Sequence, residues 1–299
     1  MEEKFINSFD NTQIWTYTWD DVKNPKGVVQ IFHGMCEHAK RYEDFAKFLN
    51  QNGYIVFADD HRGHGKTAGE ENLGKYNGSD IFYDTLQDEL FFSEMLKEKY
   101  NLPLFVFGHS YGSFIAQAYI QRCTLAKAAI ICGSANMAGR LDVRLGKLIA
   151  KITAKVKGKD APAKLINKMT FGAYDKAVKT GSWLNTDEEA VKKYYADPLR
   201  GKICSAKFYV DFFHALEVIY HKENTRRIPE NFPVYIIAGK DDPVGKMGKL
   251  VVKLFRLYHE LCLDVSMTLY DNARHEILNE PIKQTVYEDV LAFIEKNNV

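Results

Sequence analysis

The sequence predicts an α/β protein in which a mostly parallel, eight-stranded sheet is flanked by helices and interrupted by an all-helical insertion. Short apolar runs alternate with amphipathic helical segments up to Cys132, which is typical of a parallel sheet. After Cys132 helical periodicity dominates until Ile-Pro-Glu-Asn-Phe-Pro, where the strand pattern returns. A chain of 299 residues, 46% of them hydrophobic, can bury one large core of this kind.

The break in the alternation sets the predicted domain boundaries. We expect residues 1–133 and 231–299 to form the core and residues 134–230 to form a helical cap inserted into it. The predicted strands span residues 4–9, 13–19, 28–32, 54–58, 104–107, 128–132, 234–238 and 265–270. The predicted core helices span residues 42–52, 83–100, 113–122, 246–262 and 282–296.

Ser110 lies at a tight turn between a predicted buried strand and a predicted helix. Gly108 and Gly112 flank it, and they let strand and helix approach closely because they lack a Cβ atom. This arrangement is typical of a nucleophile elbow, which lifts the serine hydroxyl above the sheet edge. We expect both glycines and His109 to shape the turn. The alternative is that Ser110 is only a helix N-cap.

Two groups that would activate Ser110 follow it in the order acid, then histidine. Asp241 and Asp242 follow one predicted strand, and His275 follows the next. Open parallel sheets bind ligands at the C-terminal ends of their strands, which is where these residues are expected. The histidine would take the serine proton, and the carboxylate would hold the histidine in the required tautomer.

The triad acid is predicted to be Asp242, because Gly-x-x-Asp-x-Val has the usual spacing from strand to acid in this arrangement. Asp241 is then expected to cap the helix that starts near Lys246. The alternative for His275 is an ordinary histidine in a surface loop.

An oxyanion would be bound by two backbone N–H groups. Tyr111, at the start of the helix after Ser110, is predicted to supply one, and Met35 the other. Met35 follows a predicted strand in the turn His33-Gly34-Met35. We expect Gly34 to shape this turn and His33 to support it rather than to touch substrate. The alternative is a plain turn that ends the strand.

Further motifs extend the pattern along nearly the whole chain, namely His33-Gly34-x-x-Glu37-His38, Asp60-His61-Arg62-Gly63-His64-Gly65 and His275-Glu276. With Ser110 and Asp242, this set resembles the monoacylglycerol lipase and lysophospholipase branch of the α/β-hydrolases, which also contains serine aminopeptidase-like sequences. The family usually has His-Gly-x-Gly-Glu-His, and Cys36 here replaces its second glycine.

The resemblance implies the α/β-hydrolase fold, no cofactor, and a serine carboxylic ester hydrolase acting on a monoacylglycerol, a lysophospholipid or a similar acyl ester. A cinnamoyl or feruloyl esterase is an alternative, since the insertion contains an aromatic group that could line a short pocket: Phe208, Tyr209, Phe212 and Phe213. Two further alternatives are a serine aminopeptidase and a non-catalytic ligand-binding protein with the same fold.

The predicted insertion is basic, with 19 Lys and Arg against 11 Asp and Glu, although the whole chain is nearly neutral. Within it, one helical stripe is apolar (Leu141, Leu145, Leu148, Ile149, Ile152 and Val156) and the adjoining face is basic (Arg140, Arg144, Lys147, Lys151 and Lys155). Such a helix can lie on an anionic membrane surface. Alternatively, the stripe packs on the core and the lysines are simply solvated.

Composition and motifs also bear on nucleic-acid binding, cellular location and metal binding. The near-neutral charge argues against nucleic-acid binding. The N-terminal segment has no apolar stretch typical of a signal peptide, and five cysteines without paired spacing suit a reducing compartment, so a cytoplasmic location is expected. No metal site is expected, because His33, His38, His61 and His64 lack an accompanying zinc-like set of ligands.

Overall fold

The computed structural model describes residues 1–178, 180–201 and 203–298, so Lys179 and Lys202 of the predicted insertion, and Val299, lie outside the described residues. The strands are β1 (Glu2–Asn7), β2 (Gln13–Trp19), β3 (Gly27–Phe32), β4 (Tyr54–Asp59), β5 (Leu104–His109), β6 (Ala126–Cys132), β7 (Pro233–Gly239) and β8 (Asp264–Tyr270). They form one open sheet in the order β1-β2-β4-β3-β5-β6-β7-β8.

Strands β3 to β8 run parallel to one another, whereas β2 is antiparallel to both β1 and β4. The central strands are buried along their length, which explains why they are continuous apolar runs in the sequence. The prediction of a mostly parallel, eight-stranded sheet is therefore confirmed.

The helices are α1 (Glu43–Gln51), α2 (Gly65–Ala68), α3 (Ile81–Tyr100), α4 (Tyr111–Tyr119), α5 (Leu141–Lys157), α6 (Lys164–Met169), α7 (Phe171–Ala177), α8 (Glu188–Ala196), α9 (Ala206–Val218), α10 (Lys222–Thr225), α11 (Lys249–Glu260) and α12 (Lys283–Lys296). Helices α1 and α12 cover one face of the sheet, and α3, α4 and α11 contribute to the core on the other. Successive strand residues enter these two cores alternately, as the pleat requires.

Helices α5 to α10 all lie between β6 and β7, and in the described part of this segment they are joined by loops, with one isolated bridge between Pro162 and Ser205. Helix α5 packs against α9, and Gly146 allows the close approach because a Cβ there would lie 2.8 Å from the ring of Phe213. The buried side of α5 is formed by Val143, Gly146 and Ala150, so its leucine-rich stripe faces outward.

Most predicted boundaries differ from the structure by one to three residues, and two of these differences have a clear physical cause. Strand β1 ends at Asn7 rather than at residue 9, because the chain turns sharply at Ser8, whose backbone pairs with Thr12 and Asn11. Helix α11 begins at Lys249 rather than at residue 246, because the three preceding residues have φ angles of 50°, 52° and 78° and cannot be helical. None of the described helices combines the length and the apolarity needed to span a lipid bilayer.

Candidate active site

Ser110 stands at the junction of β5 and α4 with φ 51° and ψ −115°, a strained conformation for a residue with a side chain. Its backbone N–H donates to the carbonyl oxygen of Cys132 on β6, 3.0 Å away. A Cβ on Gly108 would lie 2.5 Å from the carbonyl oxygen of Gly112, and one on Gly112 would overlap that of Phe32. The two glycines therefore permit the packing that the sharp turn requires.

Asp242 and His275 meet at the C-terminal ends of β7 and β8. The Asp242 side chain is completely buried, and its Oδ2 lies 2.8 Å from Nδ1 of His275. Its other oxygen accepts a hydrogen bond of 2.8 Å from the backbone N–H of Val244. Because the carboxylate accepts from Nδ1–H, Nε2 of the ring is the nitrogen free to accept a proton.

The neighbouring Asp241 is exposed, and its side chain does not take part in this arrangement. The expectation that it caps the helix near Lys246 is wrong, because α11 begins at Lys249 and its N-cap is Gly248.

Ser110 and His275 line the same cavity. Among the described residues the Ser110 hydroxyl has no hydrogen-bond partner, so the direct contact with the imidazole is not formed in this state. Hydrogen bonds of this kind often tighten only when a substrate is bound.

Met35 and Tyr111 both border a cavity with Ser110. In the described structure neither backbone N–H donates to another protein group, whereas the N–H of Gly34 is bound by Glu37 Oε1 at 2.6 Å. Two free donors therefore stand beside the serine, one from the turn after β3 and one from the first residue of α4. This is the arrangement that an oxyanion requires.

His33 lies under the turn after β3 and does not line either cavity at Ser110. Its Nε2 accepts from the backbone N–H of His61 at 2.9 Å, so Nδ1–H donates to the carbonyl oxygen of Gly34 at 2.7 Å. Burial, together with His61 and His64, lowers the pKa of His33 well below its usual range. The ring is thus neutral, with a single tautomer that supports the turn.

A buried ionic network adjoins the same turn. Arg41 forms a bidentate pair with Glu276 at 2.7 and 2.8 Å and also reaches Glu37 at 2.6 Å. Glu37 in turn accepts from the His109 ring at 3.0 Å. Burial opposes ionisation of Glu37, but Arg41 and His109 outweigh it and hold its pKa well below the usual range. The network joins the turns after β3, β5 and β8 around Ser110.

Cys36 occupies the position at which the family has glycine, and its φ of 60° is a conformation that glycine favours. Its Sγ lies 3.8 Å from Sγ of Cys204, which precedes α9, and both thiols are buried. The Cys36 carbonyl oxygen also accepts from the hydroxyl of Tyr194 on α8, 3.1 Å away. The residue that replaces the glycine therefore contacts the helical insertion.

Two cavities meet at Ser110 and Met35. The larger, of about 530 Å³, extends under the insertion and is lined mainly by apolar side chains, among them Phe114, Val143, Ile166, Phe171, Tyr209, Phe212, Phe213, Leu216 and Leu250. The smaller, of about 220 Å³, is more polar and includes Glu37, His109, Asp175, Tyr194, Tyr195, Arg200, His275 and Glu276. An elongated apolar group and a compact polar group can thus be bound in two adjoining cavities at the serine.

Of the four aromatic residues predicted to line a short pocket, Tyr209, Phe212 and Phe213 border the larger cavity. Phe208 instead packs under the site, with its ring 5.3 Å from that of Tyr111. Trp183, which the sequence did not single out, lies against His275 and borders both cavities. Only its place in three dimensions distinguishes it from a core tryptophan.

One cluster of ionisable side chains was also not anticipated. Asp59, His61 and Glu89 are fully buried, with Nδ1 of His61 lying 3.1 Å from Asp59 and 3.3 Å from Glu89. These groups could hold a metal ion. Burial and Asp59 raise the pKa of Glu89 well above its usual range, which favours the protonated form of this carboxyl beside Asp59. The cluster lies beneath the ring of His33, which is stacked on His61 at 3.9 Å.

Comparison with known proteins agrees with the observed fold. The family model described as serine aminopeptidase, S33, matches residues 23–282. A monoacylglycerol lipase of Mycolicibacterium smegmatis is 28% identical over 92% of this chain and 90% of its own, and the monoglyceride lipase of Homo sapiens is 26% identical over 94% and 86%. The crystal structure of a highly thermostable carboxyl esterase from Bacillus coagulans, in complex with glycerol, has a TM-score of 0.90 and 27% identity, covering 100% of this chain and 99% of that one.

The family match covers most of the chain, and the fold agrees over its whole length. The protein is therefore a hydrolase of the α/β-hydrolase fold, and it belongs to the serine aminopeptidase S33 family.

Proposed function

We propose that this protein hydrolyses monoacylglycerols or closely similar single-chain acyl esters through an acyl-enzyme formed on Ser110. The observation that carries the proposal is the position of Ser110, at a strained elbow where an apolar and a polar cavity meet. The names of the relatives support the substrate class, since two of them are monoacylglycerol lipases and a third is a carboxyl esterase.

Each proposed catalytic role follows from the chemistry of ester hydrolysis. Ser110 attacks the ester carbonyl, while His275 takes the serine proton and then gives it to the departing alcohol. Asp242 holds the imidazole in the tautomer that accepts this proton. The N–H groups of Met35 and Tyr111 bind the oxyanion, and losing one such donor typically lowers kcat about 10²–10³-fold. Water activated by His275 then hydrolyses the acyl-enzyme.

The two cavities give the substrate an orientation. The larger cavity suits an acyl chain, because apolar side chains dominate its lining and burial of apolar surface favours binding. The smaller cavity suits a glycerol-like alcohol, because carboxylates, tyrosines and Arg200 offer both donors and acceptors for hydroxyl groups. The ester carbonyl would then lie at Ser110, between them.

Two alternatives make different demands on these cavities. An aryl esterase would place a ring against Tyr209, Phe212 and Phe213, but the volume of about 530 Å³ exceeds what a single ring fills. A serine aminopeptidase needs carboxylates to hold a free amine. Of the carboxylates that line the smaller cavity, Glu37 and Glu276 are already occupied by Arg41, which leaves Asp175.

A substrate panel tests the proposal. We expect the purified protein to release fatty acid from 1-monoacylglycerols with medium or long chains at a kcat/KM at least tenfold above that for methyl ferulate or aminoacyl p-nitroanilides. Ser110→Ala should abolish turnover of every substrate. A preference for the anilides would establish the peptidase, and a preference for ferulate would establish the aryl esterase. Either result would contradict the proposed substrate class.

We also propose that residues 134–230 form a cap that rests on an anionic lipid surface through α5. Its apolar stripe is exposed, with 78% of Leu141 and 74% of Val156 accessible, together with Leu145, Leu148 and Ile152. Exposed apolar side chains in such a row are typical of interaction sites. The other side of the same helix lines the larger cavity through Val143 and Gly146. A docked α5 would therefore bring the cavity close to the lipid.

Charge favours an anionic surface as the partner. Arg144, Lys151 and Lys155 on α5 are exposed and form no ion pair within the described part of the chain, whereas Lys147 is paired with Glu217. Lysines and arginines near an anionic leaflet each contribute about 1 kcal/mol of attraction. Apolar insertion and charge attraction would thus act on the same helix.

Vesicle sedimentation tests the docking proposal. We expect binding to vesicles of phosphatidylcholine with 30% phosphatidylserine and much weaker binding to phosphatidylcholine alone. Leu148→Ser with Ile152→Ser, and separately Lys151→Glu with Lys155→Glu, should each reduce binding at least tenfold. Lys23→Glu with Lys127→Glu, at the far end of the sheet, is the matched control and should bind normally. Equal binding by all variants would contradict docking through α5.

A further inference from the structure

Trp183 lies directly against the ring of His275. The two ring centroids are 4.9 Å apart and the ring planes are inclined by 40°. The tryptophan is only 6% exposed, and it belongs to the helical insertion, whereas His275 follows β8 in the core. The insertion therefore supplies one wall of the pocket that holds the imidazole.

The position of Trp183 is fixed from two sides. Its ring is stacked on Phe171 with centroids 5.4 Å apart, and Tyr174 packs at 5.1 Å. Its carbonyl oxygen accepts from the backbone N–H of His275 at 3.4 Å, and that of Leu184 accepts from the next backbone N–H at 2.8 Å. The indole cannot move away from the imidazole without breaking these contacts.

The charge of the imidazole changes during ester hydrolysis. When His275 takes the proton of Ser110, its ring becomes a cation within about 6 Å of an indole, the distance over which cation–π attraction operates. Tryptophan is the most effective partner for this attraction, and exclusion of water strengthens it. Since the cation arises only as the reaction proceeds, its stabilisation accelerates the chemical step rather than substrate binding.

We propose that Trp183 is a positioning residue for the hydrolytic reaction, which holds the ring of His275 and stabilises it when it carries the transferred proton. The inference rests on the proposed function, because it requires His275 to be the base. Because Trp183 belongs to the insertion, the inference also makes the rate of hydrolysis depend on how the insertion packs against the core. The aromatic rings packed on the indole, Phe171 and Tyr174, belong to that segment, while Val244 in the loop after β7 lies in the same apolar cluster.

Other ionisable groups also face His275, and a test of pH dependence must leave these residues unchanged. Asp242 binds Nδ1, and the ring of His109 lies 4.9 Å away and donates through Nε2–H to the carbonyl oxygen of His275 at 3.2 Å. Glu276 follows it in the chain and is held by Arg41, while Tyr174 approaches from α7. Substitution of Trp183 removes no charge, so a shift in the pH profile reports on the indole.

Two substitutions separate the aromatic face from simple packing. In Trp183→Leu we expect kcat to fall about tenfold, which corresponds to about 1.4 kcal/mol of barrier, with KM within twofold of the parent. The acid limb of the kcat/KM profile should move to lower pH, because the protonated imidazole has lost a stabilising neighbour. Trp183→Phe keeps a π face. In this variant kcat should stay within about threefold of the parent, and the acid limb of the kcat/KM profile should stay within about 0.3 pH units.

Thermal unfolding of each variant establishes that it is folded, and Trp183→Met replaces the leucine variant if that one is not. Wild-type kcat and an unmoved acid limb in the leucine or methionine variant would overturn the inference. Equal impairment of the phenylalanine and leucine variants would also overturn it, because packing alone would then explain the loss. If the parent protein shows no turnover that depends on Ser110, the proposed function fails as well, and the two failures are thereby distinguished.

Discussion

Asp241 and Asp242 are adjacent in the sequence but differ completely in environment. Asp242 is buried and binds both His275 and a backbone N–H, whereas Asp241 is exposed. An amide at position 242 would present an N–H where the imidazole must donate, so the ring would favour the wrong tautomer. We therefore expect Asp242→Asn to lower kcat about 10⁴-fold on a p-nitrophenyl ester.

Asp241→Asn is the matched control for this prediction and should retain kcat within about twofold. Both variants are assayed at the same pH, and they differ only in which of the two adjacent aspartates has lost its charge. Comparable losses in both, or normal turnover in Asp242→Asn, would contradict the assignment of the acid.

The elbow between β5 and α4 depends on close backbone contact. A methyl group on Gly112 would overlap the carbonyl oxygens of Phe32 and His33, so strand β3 would have to move. We expect Gly112→Ala to lower the free energy of unfolding by about 1–3 kcal/mol, the usual cost of overpacking, measured by urea denaturation.

Gly172 in α7 provides the comparison, because a Cβ there has no neighbour closer than 3.8 Å. Alanine at this helical position should leave stability unchanged or raise it by up to about 1 kcal/mol. If Gly112→Ala proved as stable as Gly172→Ala, the elbow would not require the close approach described above.

The strands could be predicted from the sequence, whereas the environment of the helices could not. Parallel strands such as β5 are buried on both faces, so they appear as continuous apolar runs with sharp ends. The apolar stripe of α5 has the same periodicity whether it faces the core or solvent, and only the structure shows it exposed. The start of α11 depended on positive φ angles at Lys246 and Met247, which residue type does not signal.

The candidate site shows the same division. Ser110, Asp242 and His275 were expected because each follows a strand in the order that its chemistry requires, and the structure brings the acid and the histidine into contact. Trp183 reaches the site from the insertion, and Arg41 pairs with Glu276, which lies 235 residues further along the chain. No local pattern marks either contact. Sequence spacing thus identifies functional residues that directly follow a strand more readily than residues that reach the site from other loops.

At the scale of the whole molecule, the network of Glu37, Arg41, His109 and Glu276 links loops that are far apart in sequence. Burial disfavours the charged form of His109, but Glu37 outweighs it and raises its pKa above the ordinary 6.5. Its stabilising contribution is therefore fully present below pH 6.5 and is lost as the pH rises through the raised value.

The contribution of Glu37 to the stability of the fold has the opposite dependence on pH. Its lowered pKa means that its contribution is present above the ordinary value of 4.5 and is lost only on acidification through the lowered value. The pair should therefore stabilise the fold most between about pH 4.5 and 6.5. We expect the difference in unfolding free energy between the parent and His109→Gln to shrink as the pH rises from 6 to 9. A difference that is constant across this range would contradict the charged pair.

Ser110 is the proposed nucleophile on which every catalytic step depends, and covalent trapping tests it most directly. The protein is incubated with diisopropyl fluorophosphate, its ester hydrolysis is followed, and the modified residue is located by peptide mass mapping. We predict one equivalent of label on Ser110, loss of activity in proportion to labelling, and no label in Ser110→Ala. Full inhibition with Ser110 unmodified, or ester turnover by Ser110→Ala at the parent rate, would contradict the mechanism.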